Sequence, residues 1–140
     1  MKQVFVIGLL LYSYSCFAQK SIHFSIDKVL SRDQNEIGTW NEWQQSTSIY
    51  VGITVDFNDN EILWSQPLSD GKIKYITELL LSSKIDDKYK SVSFKYIKLT
   101  GAGLNDNKNI TYEIAYLDQE IIMITGDGTT QTKYLLKEVN

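Results

Sequence analysis

From Ser46 to Phe57 the chain keeps a period of two: Ile49, Val51, Ile53, Val55 and Phe57 alternate with Ser48, Tyr50, Gly52, Thr54 and Asp56. That pattern, rich in β-branched residues, predicts a strand whose first set faces a core. Asn58, Asp59, Asn60 and Glu61 follow, residues that tolerate left-handed backbone and form side-chain turns, so a hairpin should lead into a strand where Ile62 and Trp64 share one face. The alternation returns at residues 109–117, with Ile110, Tyr112, Ile114 and Tyr116 on one face. Turns at Leu117–Glu120 and Gly126–Thr130 then make a three-strand meander with residues 120–125 and 131–139.

Residues 21–30 and 89–99 also read as strands, with Gly101–Asn109 as the turn into the meander. Residues 72–89 are ambiguous by pattern. Ile76, Leu79, Leu80 and Ser83 fit a helical face, whereas Ile73, Tyr75, Thr77 and Leu79 fit a strand, and the flanking alternation favours the strand. The turn-like segments at 57–62 and 104–110 resemble each other over a few residues only, too little for a repeat architecture. With one proline, Pro67, and no low-complexity linker, the expectation is one all-β domain of seven to eight antiparallel strands. Exposed edges are a hazard for such a sheet, so it should close into a single antiparallel barrel or a barrel-like sandwich.

The first residues have a separate character. Lys2, an apolar run from Val4 to Leu11, and small residues at Cys16 and Ala18 follow the plan of a secretory signal peptide too short to span a bilayer. Cleavage between Ala18 and Gln19 would leave a domain of residues 19–140, periplasmic or secreted. The alternative is a lipoprotein anchored through Cys16, which follows the small residue Ser15, and only then would the protein meet a membrane. Cleavage removes the single cysteine, so no disulfide would support the exported domain and packing must suffice. Loss of Lys2 also moves the net charge from −3 to −4, with no basic stripe to drive nucleic-acid binding.

Catalytic and metal chemistries find little support. His23, Ser25 and Asp27 share one strand face at steps of roughly 6.5–7 Å, too far apart for a nucleophile–base pair at roughly 2.6–3.2 Å, and no nucleophile-elbow sequence occurs. His23 is the only histidine, which excludes multi-histidine zinc sites. Asp56, Asn58 and Asn60 match the opening ligand positions of a calcium-binding loop, but Glu61 stands in the glycine position and Pro67 in that of the bidentate glutamate. The carboxylate pairs Asp86-Asp87 and Asp118/Glu120 fall in predicted turns, and Gly101–Gly103 and Gly126–Gly128 read as turns, not phosphate loops. The sequence therefore predicts no catalytic residue, no metal and no cofactor.

Aromatic residues are the richer signal. Trp40, Trp43 and Trp64 are the candidate ligand-binding residues, and the tyrosines in strand segments would help fill an interior. Trp40 and Trp43, three apart, should send their rings to opposite faces of an extended chain, with Trp40 in the core and Trp43 more exposed.

Gly38-Thr39-Trp40 resembles the G-x-W signature of the lipocalins and their bacterial lipocalin-like relatives. The resemblance implies an eight-stranded barrel, closed at one end by the tryptophan, that carries a small apolar ligand inside. Lipocalin landmarks further along the chain have no counterpart: the mature domain has no cysteine, and the single arginine, Arg32, precedes the motif. The order of a tryptophan pair, an I-x-V-D strand, I-x-W-S and a C-terminal meander is also similar to small secreted proteins of Bacteroidetes, a likeness that implies no activity. The functional expectation is a non-enzymatic, exported binding module for a small apolar or amphipathic ligand. Its alternative is a cell-envelope interaction protein, an inhibitor or assembly factor, that holds an envelope protein partner without a pocket.

Overall fold

A computed structural model describes residues 21–86, 96–103 and 108–140. The N-terminal leader with Cys16, the predicted strand portion before Tyr96, Asp87 and residues 104–107 of the predicted 101–109 turn lie outside the described residues. Nine strands follow in order: β1 Ser21–Asp33, β2 Gln44–Ser46, β3 Gly52–Asp56, β4 Glu61–Pro67, β5 Ile73–Asp86, β6 Tyr96–Gly103, β7 Asn109–Tyr116, β8 Ile121–Gly126 and β9 Thr130–Val139. Every pairing is antiparallel between chain neighbours, except that β3 passes over β2 to pair with β1 and β9 returns to β1. The result is a closed eight-stranded antiparallel barrel, with β2 an outlying piece.

β1 makes the closure. Its first half, Ser21–Ser25, pairs with β3, its second half, Val29–Ser31, pairs with β2, and its other edge pairs with β9 from His23 to Asp33. Asp27 is the extra residue of a bulge between Ile26 and Lys28, so the inward set changes from Ile22 and Phe24 to Val29. The bulge bends the strand, and Asp27 then pairs with Lys137 at 2.6 Å on the outside.

The inward sets meet as the alternation predicts over β4 and β7. Ile62 and Trp64, with Tyr112 and Ile114, are buried beside Ile53, Val55, Ile97, Leu99, Met123 and Leu136. Ile62, Leu99, Ile114 and Met123 are 0% exposed, so no solvent-sized space touches them and the middle of the barrel is filled.

Three readings need correction. The strand expected over 46–57 begins only at Gly52, and Ile49 and Val51 are exposed because the chain before Gly52 leaves the barrel wall. Gly101–Gly103 belong to β6, not to a turn. A Cβ at Gly101 would stand 3.0 Å from Glu78 Oε2 and 3.1 Å from Ile62 Cδ1, so the missing side chain makes room for a carboxylate inside. β5 is a strand, but Ile73, Tyr75 and Leu79 lie on its outer face, and Ile76 and Leu80 point toward the core.

The turns bear out the local chemistry. Asn60 takes φ 56° after Asp56 Oδ1 accepts from Asn58 N and Asp59 N. In the β8–β9 turn Asp127 Oδ1 accepts from the backbone and hydroxyls of Thr129 and Thr130. The Thr130 and Thr129 backbone bonds lead in holding this exposed carboxyl at about 2, against an ordinary 3.8. A depressed carboxylate stabilises above its unfolded value and loses that contribution as pH falls through the folded one. Asp127→Ala should therefore melt below wild type at pH 7, the gap closing between pH 3.8 and about 2; a gap of equal size at both ends would sink this account.

Candidate functional site

Trp64 occupies the inner wall of the barrel toward the end where β1 finishes and β9 begins. Tyr50, Tyr134 and Tyr112 surround it, with ring centroids at 5.1, 5.6 and 5.8 Å and planes tilted by 45–54°. Tilted contacts of this kind suit the quadrupoles of the rings. Tyr112 comes from β7 and Tyr134 from β9, whereas Tyr50 reaches in from the chain before β3, where its backbone N–H donates to Ser48 Oγ.

A carboxylate sits among these rings. Tyr112 Oη donates to Glu78 Oε2 at 2.7 Å. Burial first, then the hydrogen bond and charge of Glu78, push the Tyr112 phenol well above its usual range, so it keeps its proton and remains a donor. Burial likewise raises Tyr134, helped by Tyr50 and Glu78. Trp64 Nε1 is buried; its N–H faces the Tyr112 oxygen and offsets part of the rise there, but the geometry falls short of a full hydrogen bond among the described residues. A buried donor left without a full hydrogen bond is uncommon in a packed interior and calls for a reason.

The other two tryptophans are elsewhere. Asn35 builds a compact turn after β1: its Oδ1 accepts from Ile37 N and Thr39 N, its carbonyl accepts from Gly38 N, and Gly38 takes φ 79°. The chain then runs back along β1, with Trp40 bridged to Gln34 and Asn41 N donating to Asp33 O. Trp40 pairs with Gln34 but Gln44 pairs with Ser31, so this side holds one residue more than β1 does between the two pairs. That irregularity shifts the alternation by one.

Both rings consequently reach the outer face and the same cation. Arg32 Cζ lies 4.9 Å from the Trp40 centroid and 4.3 Å from that of Trp43, and Lys133 Nζ lies 4.6 Å from Trp43. The expected divergence of the rings is therefore corrected, as is the expected contrast between a core Trp40 and an exposed Trp43: both are half-buried and neither joins the core. Trp64 alone of the three candidates faces the interior.

The remaining chemistry stays scattered. His23 lies between two hydroxyls, 3.1 Å from Ser21 Oγ and 2.9 Å from Thr54 Oγ1, and Asp27 is held by Lys137, so no carboxylate orients the imidazole. Asp118 and Glu120 are exposed in the β7–β8 turn, and Asp86 pairs with Lys84 at 3.1 Å. Among the described residues no cluster of His, Cys, Asp or Glu is arranged to hold a metal ion.

Fold and site together define a closed barrel with an aromatic–carboxylate cluster inside and a tryptophan–cation cluster outside. No family model, curated protein or solved structure matches the chain.

Sequence reasoning missed Glu78, Arg32, Gln131 and Lys133. Glu78 carried an ambiguous signal, since the alternation through Ile73, Tyr75 and Leu79 sets it opposite them, and only their exposure in the structure shows that its face is the inner one. Arg32 carried none, because its role depends on pairing with β9, 99 residues away.

Proposed function

We propose that the protein is a non-enzymatic binding module, exported to the cell envelope by residues 1–18, that takes a small amphipathic ligand at the aromatic end of its barrel. One observation carries the reading: the buried Trp64 N–H, which makes no full hydrogen bond, lies in the same cluster as the Glu78 carboxylate, among three tyrosines. A ligand carbonyl or hydroxyl accepts from Trp64, a ligand donor or cation meets Glu78, and its apolar body replaces ring contacts. Such sites combine a mostly apolar lining with a few placed polar groups. Tyr50 is the entry point, because it belongs to no strand and can swing away without breaking the barrel ladder.

A second reading has its own support. Ile73, Tyr75, Leu79 and Leu81 are between 46% and 60% exposed on the long β5, and such a surface suits an envelope protein partner. Native mass spectrometry of the protein purified from its own envelope separates the two. A co-purifying small molecule, lost in Trp64→Phe and in Glu78→Gln, supports the ligand reading. A stoichiometric protein partner without any small molecule, retained in those variants and lost in Leu79→Lys, overturns it in favour of the second.

A further inference from the structure

The outer face of β1 and β9 carries a second cluster of polar and aromatic side chains, separate from the barrel interior. Arg32 and Gln131 are direct cross-strand partners, and Lys133 lies two residues further along β9 on the same face. Arg32 Nε and Nη2 both donate to Gln131 Oε1, at 2.9 and 2.6 Å. Of the five N–H bonds of a guanidinium, this clamp uses two and leaves the Nη1 pair and one Nη2 hydrogen without acceptors among the described residues.

Among the described residues neither cation forms an ion pair with a carboxylate; those at Lys72, Lys84 and Lys137 lie elsewhere. Asp33 and Glu42 border a small hollow beside Arg32, yet neither forms a salt bridge with it. Since Arg32 and Lys133 both sit against the Trp43 ring, they lie within about 9 Å of each other, roughly one Debye length at physiological salt. Two like charges held this close by aromatic faces, neither in an ion pair among the described residues, attract an anion.

The fold spends a backbone position on the arrangement. A Cβ at Gly126, the β8 partner of Gln131, would stand 3.0 Å from Gln131 Cγ, so glycine there lets the Gln131 side chain lie in place to hold the guanidinium. Next to Gln131 an open hollow of about 180 Å³ runs over Gly126 toward Ile124, Thr111 and the carboxylate of Glu113. It offers room for the body of a molecule whose charged group is held by Arg32 and Lys133.

We infer that the Arg32–Lys133 pair, backed by Trp40 and Trp43, binds the phosphate group of a phosphate ester. Phosphate matches both features: its oxygens fit the planar fork of arginine, and its charge of one to two answers two cations. Lys133 contributes as a point charge that closes over the same group.

Tryptophan fluorescence titration at constant ionic strength tests this, with inorganic phosphate as one probe and phosphatidylglycerol-containing phosphatidylcholine vesicles as the other. A saturable response to phosphate identifies a soluble ester, and a response to vesicles alone identifies a lipid headgroup. In either arm Arg32→Lys, which keeps the charge and loses the fork, should weaken binding about tenfold or more. Lys133→Gln should also weaken it, and Lys98→Gln, an equal loss of charge on exposed β6, should not. Absence of a saturable response in both arms overturns the assignment, as does equal weakening in Lys98→Gln and Lys133→Gln, which would mean general charge attraction. Circular dichroism confirms that each variant is folded, and no variant in the series touches the barrel core.

Discussion

Ile114→Ala should lower the stability of the barrel by about 2–5 kcal/mol, the range for deleting a fully buried aliphatic side chain. Ile114 is 0% exposed and lies between Ile97 on β6 and Met123 on β8, themselves 1% and 0% exposed. Its neighbours belong to continuous ladders and cannot collapse into the space without moving strands, which puts the expected cost in the upper part of that range. Ile124→Ala is the comparison: the residue is half-buried on the outer face of β8, next along from Met123, and should lose about 1 kcal/mol. Urea denaturation of both variants checks the difference. Equal losses would mean that the inner and outer faces of β7 and β8 do not differ in burial, and a larger loss in Ile124→Ala would mean that they are exchanged.

The second large effect is steric. At Gly126 a Cβ would stand 2.3 Å from the carbonyl oxygen of Thr130, closer than real contacts allow, and the obstacle is backbone. Gly126→Ala must therefore open the end of the β8–β9 ladder, at a cost of about 3 kcal/mol. Because Gln131 moves with it, the guanidinium of Arg32 also loses its clamp, and fluorescence from Trp40 and Trp43 should change in the folded variant. Gln131→Ala isolates that second consequence, since it frees Arg32 while leaving the backbone ladder in place. If Gly126→Ala unfolds at the wild-type urea midpoint, the close approach to Thr130 is not a constraint on the fold.

Much of the barrel was legible along the chain because inward and outward positions alternate with the pleat. Ile62 and Trp64, or Tyr112 and Ile114, announce their face locally, and the turns at Asn58–Asn60 and Asp127–Gly128 announce themselves by residues suited to left-handed backbone or side-chain capping. The same logic misled at Ile49 and Val51, whose alternation continues a strand pattern beyond the point where the wall ends. It misled again at β5, where apolar residues occupy both faces and the outward set reads as well as the inward one.

The candidate sites were legible only in part. Trp40, Trp43 and Trp64 stood out as a class, but that Trp40 and Trp43 share the outer face turns on one extra residue in the chain beside β1. That residue changes the parity between Trp40 and Trp43, and parity is what a period-two argument assumes constant. The partners are harder still, since Glu78 meets Tyr112 across 34 residues and Arg32 meets Gln131 across 99.

By itself, then, the sequence determined an all-β chain, its main hairpins and most of its inward residues, because those depend on neighbours within a few positions. Tertiary structure alone decided that the sheet closes, through the pairing of β1 with β9. It also decided which polar groups meet inside and outside the wall, because closure and register join residues that no local pattern relates.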